Sequence, residues 1–416
     1  MNSTSHPYHV RAVHCDHRAS DEEVYLALRR ATEPLAAVWE KIDRAGKIVI
    51  KFNQDYRSDS VPVYAGHRQQ LVSDIVARAL VRLLREHNSQ AELHYADITA
   101  FIRTDSPEPP PTAQMAPLMA ELGVKYINGD APPHRIYEVP GGGQMFRQYL
   151  MPQRVVEADV FIDVQKIKNH AFMGTTLTLK NLFGLVPREL YGRSRQYFHH
   201  LVRMPYMLAD IGRICNPTLN IIDGMVGQAG MEWGKGEGLA RVADTLIAGD
   251  HTVATDACGA YLMGHDPQAD WPTPPYNRDR NPLLVAAEGG FGTVDLKAID
   301  FESEVEPQPE GAFFAQCTDP DEIVRSWRRT TCEQALYYRD HMQDFVSKHA
   351  REYILLQEFE VKWHDTSSLL RGSRRNLSGS RHEQAMWLKF VDPEEAEGEH
   401  FEVYERALAH MDALGL

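Results

Sequence analysis

The chain has 416 residues, with 44 Lys and Arg against 58 Asp and Glu and a formal net charge of −14. That length points to one large α/β domain with elaborations, or to two domains, and the negative charge removes any general attraction for nucleic acid or an anionic membrane surface. No run of about 18 apolar residues offers a membrane span. The opening MNSTSHPYHVRAVHCDHR has no apolar signal core, so the expected setting is cytoplasmic. Cys15, Cys215, Cys258, Cys317 and Cys332 are scattered without a C-x-x-C pair, so reduced thiols are expected and an iron–sulfur cluster is not.

In chain order, DEEVYLALRRATEPLAAVWEKIDR predicts an amphipathic helix whose N-terminus is favoured by Asp21, Glu22 and Glu23. Gly46 breaks it, and KIVIKFNQ predicts a short buried strand that ends in polar residues. RQQLVSDIVARALVRLLREHN has apolar residues at helical spacing, AELHYAD is the next strand, DSPEPPPTAQ is a loop and MAPLMAELG a helix. This alternation is that of a parallel sheet. VPGGG, Val139 to Gly143, lacks the spacing of a phosphate loop and reads as a turn.

ADVFIDVQKIKNH carries an apolar strand from Ala158 to Val164, after which Lys166, Lys168, Asn169 and His170 are expected beyond its carboxyl end, where ligands bind in open parallel sheets. The next stretch, GTTLTLKN, reads as a loop entering a helix. Its free backbone N–H groups, the hydroxyls of Thr175, Thr176 and Thr178, and the charges of Lys168 and Lys180 would make an anion cradle. The same residues also fit a solvated helix face at Lys180 with Thr175 as its cap. His199 and His200 follow a basic, aromatic segment, and one of the pair is expected to face the site as a neutral proton acceptor or metal ligand. Arg193, Arg195 and Arg203 are able to clamp a carboxylate, although arginines in such a run are also commonly solvated.

TLNIID ends a strand at Asp223, a placement suited to a base or ligand, and the Gly-rich loop after it contains Glu232. DTLIAGDHTVATDACGAYLMG reads as strand, turn and helix, with Asp256 either a cap or a contributor to the site. PLLVAAEGG is a helix closed by Gly289 and Gly290. Beyond EPQPEG the composition shifts to helical stretches, a strand-like YILLQEFEVKW and a basic loop, LLRGSRRNLSGSR.

These motifs, ADVFIDVQKIKNH, TLTLKNLFGLVP, the histidine pair, LNIIDGMVGQAG, AGDHTVATDACGAYLMGHDP and EGGFGTVDL, with IVIKFNQ upstream, resemble in order and spacing the domain of unknown function 362 family, some of whose members are fused to ferredoxin modules. The resemblance runs from about Gly46 to Asp300 and adds Lys51 and Asn53 as substrate-binding candidates. A more distant similarity is to the catalytic half of lactate racemase-like proteins, in which a lysine carries a nickel-pincer nucleotide. Carried over, it implies roles for His170, Lys180 and His199 or His200, although TTLTLKNLFG stands where that family has a glycine pair.

The sequence therefore predicts an α/β fold: a mainly parallel sheet flanked by helices in Rossmann-like layers, spanning 46–305. An N-terminal helical extension covers 1–45, and a small α+β appendage covers 306–416. The leading functional reading is an enzyme on a small carboxylate- or phosphate-bearing substrate, of isomerase, epimerase or lyase type. Lys180, His170, His200 and Asp223 are its catalytic candidates, and Lys51, Asn53, Lys168, Thr175, Thr176, Asn181, His199, Arg203 and Asp256 its binding candidates. The resemblance leaves open a divalent metal (nickel, iron, zinc or manganese) on His170 and His200. Alternatives are an oxidoreductase served by an external ferredoxin and a non-catalytic anion-binding protein; a homodimer is a further option.

Overall fold

The alternation of strands and helices builds a nine-stranded sheet in the computed structural model, which describes residues 6–57, 60–99, 102, 104–188, 193–232, 239–367, 374–379 and 384–416. The chain opens with β1 (His9–His14), which the sequence did not reveal, then α1 (Asp21–Thr32) and α2 (Ala36–Arg44). Ser20 and Glu23 form a capping box at the start of α1. The single helix expected here divides around Pro34, which has no N–H to donate and whose ring crowds the preceding turn. After β2 (Lys47–Phe52), the small hairpin β3 (Val63–Tyr64) and β4 (His67–Arg68) precedes α3 (Asp74–His87), so that helix starts later than its apolar spacing suggested. β5 (Glu92–Asp97), α4 (Ala116–Glu121) and β6 (Lys125–Asn128) follow. β7 (His134–Glu138) and β8 (Gln148–Pro152) pair antiparallel around VPGGG, whose three glycines all take positive φ, as a tight turn requires.

After α5 (Gln153–Val156) come β9 (Val160–His170), β10 (Gly174–Thr176), α6 (Thr178–Asn181), α7 (Arg195–Phe198) and α8 (Arg203–Cys215). β11 (Leu219–Gln228), β12 (Ala240–Gly249), α9 (Thr252–Leu262), α10 (Pro282–Glu288) and β13 (Asp300–Ser303) complete the sheet and its cover. The sheet order is β13-β1-β12-β11-β9-β2-β5-β6, with β10 hydrogen-bonded to β9. Neighbours from β11 through β9, β2 and β5 to β6 run parallel. β12 runs against both β11 and β1, and β10 against β9. The fold is thus α/β with a mainly parallel sheet, as the sequence predicts.

Alternation along the central strands sends side chains to two cores. Ile48 and Ile50 of β2 and Ile162 and Val164 of β9 join Leu28, Trp39 and Leu80 of α1, α2 and α3 on one face. Val49 and Phe161 join Leu179, Leu208 and Val253 of α6, α8 and α9 on the other.

The last hundred residues supply α11 (Asp321–Asp340), α12 (Met342–His349), β14 (Tyr353–Gln357), β15 (Glu360–Asp365), α13 (Arg374–Leu377), β16 (Trp387–Phe390) and α14 (Glu402–Ala413). β14 is the central strand of a three-stranded antiparallel sheet, and Leu355, Trp387 and Tyr404 pack into the core on the α8 side. Much of the basic loop LLRGSRRNLSGSR lies outside the described residues.

Candidate functional site

The segment between Val164 and Lys180 departs from the expected loop. β9 does not stop at Val164 but continues to His170, because Gly174–Thr176 turns back and pairs Gly174 with His170, Thr175 with Asn169 and Thr176 with Lys168. On its other side β11 pairs Asp223 with Lys166 and Gln228 with Lys168. The lysines and His170 are therefore strand residues rather than residues past the strand's end. Gly174, at φ 72°, makes the reversal possible, and an added Cβ there would meet the Tyr276 ring at 2.7 Å.

A cleft of about 770 Å³ opens where β2, β5 and β9 end. Lys51 and Asn53 come from the end of β2, Asp97 from the end of β5, Lys168 and His170 from β9, Thr176 from β10, Lys180 and Asn181 from α6. Arg195, His199 and Glu232 close its other walls. Lys51 Nζ pairs with Asp97 Oδ1 at 2.8 Å and donates to Phe52 O at 2.7 Å. Burial pushes the Asp97 carboxyl up, against the pull of that ammonium. Lys168 Nζ donates to Gln70 O at 3.0 Å, and loss of solvation brings it down to about 8.

Lys180 is different. Its Nζ lies 4.7 Å from the centre of the Phe183 ring, and no carboxylate pairs with it among the described residues. Desolvation first, and then the Arg195 guanidinium, push its ammonium down to about 7. His170 Nδ1 accepts the N–H groups of Phe172 (3.1 Å) and Met173 (3.3 Å), which fixes the ring proton on Nε2, 3.5 Å from Glu232 Oε1. Glu232 in turn accepts the Ala171 N–H at 3.0 Å. The His199 ring stands 5.9 Å from that of His170 and packs edge-on to Phe172 and Phe183. Burial, and then the nearby Lys180, hold both imidazoles well below their ordinary pKa, so both are neutral.

Asn181 holds Asp163 Oδ1 at 2.5 Å and Val164 O at 3.2 Å. Four buried polar atoms on cleft residues lack a hydrogen-bond partner: Asn53 Oδ1, Gln54 Nε2, Thr176 Oγ1 and Arg195 Nε. Buried polar atoms left unpaired are costly and uncommon, and several on one cleft mark a surface built to meet a polar guest.

Other candidates stand elsewhere. The helix N-terminus expected to cradle an anion is already filled: Asp256 accepts from Thr178 N (2.8 Å), Thr178 Oγ1 (2.6 Å) and Leu179 N (2.7 Å). A carboxylate of the protein itself therefore caps α6 and positions Lys180. Asp223 is fully buried and bound to Lys166 Nζ at 2.8 Å, and it accepts the Ser73 N–H; it lies within β11, not at its end. Thr175 pairs with Asn169, on residues outside the cleft lining, and Asn169 Nδ2 donates to Gly174 O at 3.0 Å. Arg203 is buried between Tyr197 O, Leu388 O and Glu399 Oε1, tying α8 to the C-terminal sheet.

Of the histidine pair, His199 faces the cleft, and His200, the one expected to be catalytic, does not. His200 turns to Met386 O (3.0 Å) and Leu388 N (3.3 Å) and lines a second chamber of about 540 Å³. This chamber shares Phe172 and His199 with the cleft. His170 and His200 thus open on different cavities and do not converge on one metal. Among the described residues, the groupings of His, Asp and Glu close enough to share an ion are His349, Glu352 and His364, and Asp16, His17 and Asp244, both away from the cleft.

Asp97, Gln54 and Gln70 were missed by sequence reasoning. Asp97 left a signal, since it closes the strand AELHYAD at its carboxyl end; the two glutamines left none.

A family model described as Domain of unknown function (DUF362) matches residues 48–261. Thylakoid-associated protein of Synechocystis sp. is 28% identical over 160 residues, 35% of this chain and 48% of that protein, so the chain spans about half the length of the curated relative it matches. Among solved structures, a lactate racemase apoprotein from Thermoanaerobacterium thermosaccharolyticum is similar over 61% of this chain and 57% of its own, at a TM-score of 0.37 and 14% identity. No helix among the described residues is long and apolar enough to cross a membrane.

Proposed function

This chain belongs to the domain of unknown function 362 family, and from that premise we propose that it is an enzyme that moves a proton on a small carboxylate- or phosphate-bearing substrate, with Lys180 as the base. The observation that carries the reading is Lys180 itself: a lysine in a cleft, without a carboxylate partner among the described residues, and pushed down to about 7. At that value it is partly neutral near neutral pH and able to accept a proton, as a general base must be. Lys168 and Arg195 supply positive charge to hold the substrate's anionic group and the charge that develops as the proton leaves. Thr176 Oγ1 and Asn53 Oδ1 offer unpaired hydrogen-bonding atoms for orientation. Lys180, protonated by the abstraction, is itself the group that returns the proton, and His199, neutral and near it, offers a ring N–H to the charge that develops, whereas His170 is committed through Nδ1 to backbone and through Nε2 toward Glu232. Isomerases, epimerases and lyases share this proton abstraction. The histidines do not fit the metal pair that the racemase resemblance implies, so no step is assigned to a metal or an attached nucleotide.

The test is deuterium incorporation. A panel of 2-substituted short-chain carboxylates is incubated with the protein in D2O, exchange at the carbon next to the carboxylate is read by NMR, and binding is read separately by calorimetry. Exchange by the wild type, lost in Lys180→Ala with binding retained within about tenfold, is expected. Binding without exchange across the panel would make the chain an anion-binding protein, and absence of any carboxylate or phosphate binding would refute the cleft reading altogether.

A further inference from the structure

The second chamber has no task in that reading, yet it is built as a binding site. It adjoins the cleft and shares Phe172 and His199 with it; those two rings pack edge to face, centroids 5.4 Å apart, and stand as the partition between the two cavities. Its character is opposite. Where the cleft presents Lys51, Lys168, Lys180 and Arg195, the chamber presents Met204, Leu201, Trp327 and Met386. The charges on its wall are already paired: Arg278 with Asp319 at 2.5 Å, and Asp279 with the buried Arg328. Arg278 also lies over the Phe172 and Trp327 rings, at 4.1 and 5.1 Å, so its plane extends the aromatic wall.

Two polar atoms on this wall lack a partner, Trp327 Nε1 and Thr331 Oγ1, and Thr331 is fully buried. They lie four residues apart on α11, one turn along one helix face. A cavity of about 540 Å³ with apolar walls and a few unpaired polar atoms is the usual form of a small-molecule pocket.

We propose that the chamber receives the apolar body, an aryl or alkyl group, of the same substrate whose anionic head sits in the cleft. This rests on the cleft reading above and narrows its substrate class to amphiphilic acids. Anion charge and apolar body are then read by separate walls, with the Phe172–His199 pair between them. An apolar group of phenyl size moved from water into such a chamber gains at least tenfold in affinity.

The experiment is calorimetric binding of propionate, 3-phenylpropionate and 4-phenylbutyrate to the full chain and to two variants, Ala385→Phe, which fills the chamber from its wall, and Lys180→Met, in the cleft. Melting temperatures confirm that both variants fold, and Leu201→Phe replaces Ala385→Phe if that variant does not. The expected result is at least tenfold tighter binding of one phenyl acid than of propionate, an advantage erased by filling the chamber with propionate affinity unchanged, and weaker binding of all three acids in Lys180→Met. Propionate binding that depends on Lys180, with no gain from either phenyl group, would overturn the chamber proposal and leave the cleft reading standing. A phenyl advantage that survives the filled chamber would also overturn it. No binding of any of the three would overturn the chamber proposal, and the cleft reading falls with it if inorganic phosphate also fails to bind.

Discussion

Replacing Lys180 by Met should make the protein more stable and less active at once. In the folded state the ammonium faces Arg195 and Lys168 and has lost much of its water, which brings it from 10.5 down to about 7. At about 1.4 kcal/mol for each pH unit, that drop corresponds to about 5 kcal/mol of unfavourable folding energy when the lysine is charged. Solvent in the cleft screens this, and the lost contact with the Phe183 ring offsets part of it, leaving a gain of about 2 kcal/mol. The sign follows from proton counts. Below about 7 the lysine is charged in both folded and unfolded chains and the full penalty applies. Between about 7 and 10.5 the unfolded chain holds the extra proton, so wild-type stability rises with pH and the penalty fades. Lys180→Met should therefore unfold at higher urea than wild type at pH 6, with the difference about halved at pH 9. A variant less stable than wild type at both pH values, or a gain that does not change with pH, would refute the account of Lys180 as an unpaired, desolvated base.

Asp223→Asn leaves Lys166 buried without its counter-ion and should cost about 3–5 kcal/mol in urea unfolding, while phosphate affinity of the folded fraction stays within about twofold. Asp256→Ala strips the cap from α6, with an expected loss of about 3 kcal/mol and deuterium exchange slowed about tenfold, since Lys180 is then poorly held. His199→Ala should slow deuterium exchange at least tenfold with little change in melting temperature, whereas His200→Ala, which breaks contacts to residues 386 and 388, should lower the melting temperature by several degrees and leave propionate affinity intact.

The sheet was readable where strands are apolar. FIDV and KIVI fill both cores and could hardly be anything else. Reading failed where burial is paired rather than apolar. Lys166 looks like a loop residue because its partner, Asp223, is 57 positions away in sequence, and only the folded sheet brings the charges together. The same distance effect hid the fate of the histidines: His200 is claimed by Leu388 of β16, 188 residues onward. β1 escaped notice because HVRAVH is short and mixed in polarity, its strand character coming from β12 and β13 on either side. The cleft floor was legible as a concentration of Lys, Thr, Asn and His in one stretch, but which side chains point inward depends on the unforeseen hairpin of β9 and β10. The hydroxyl of Thr176 is inside and that of Thr175 is not, although the two are adjacent.

The two cavities also differ in where their walls come from along the chain. Every described residue lining the cleft falls within the family-matched segment, 48–261. The chamber draws Arg278, Trp327, Thr331 and Met386 from beyond it. Mutations after residue 261 can thus reshape the chamber while the cationic floor stays fixed, an arrangement that lets a lineage drift in substrate choice without rebuilding its chemistry. For an engineer, the same division makes α11 and the segment that leads into β16 at Met386 the natural targets for a library that retunes selectivity.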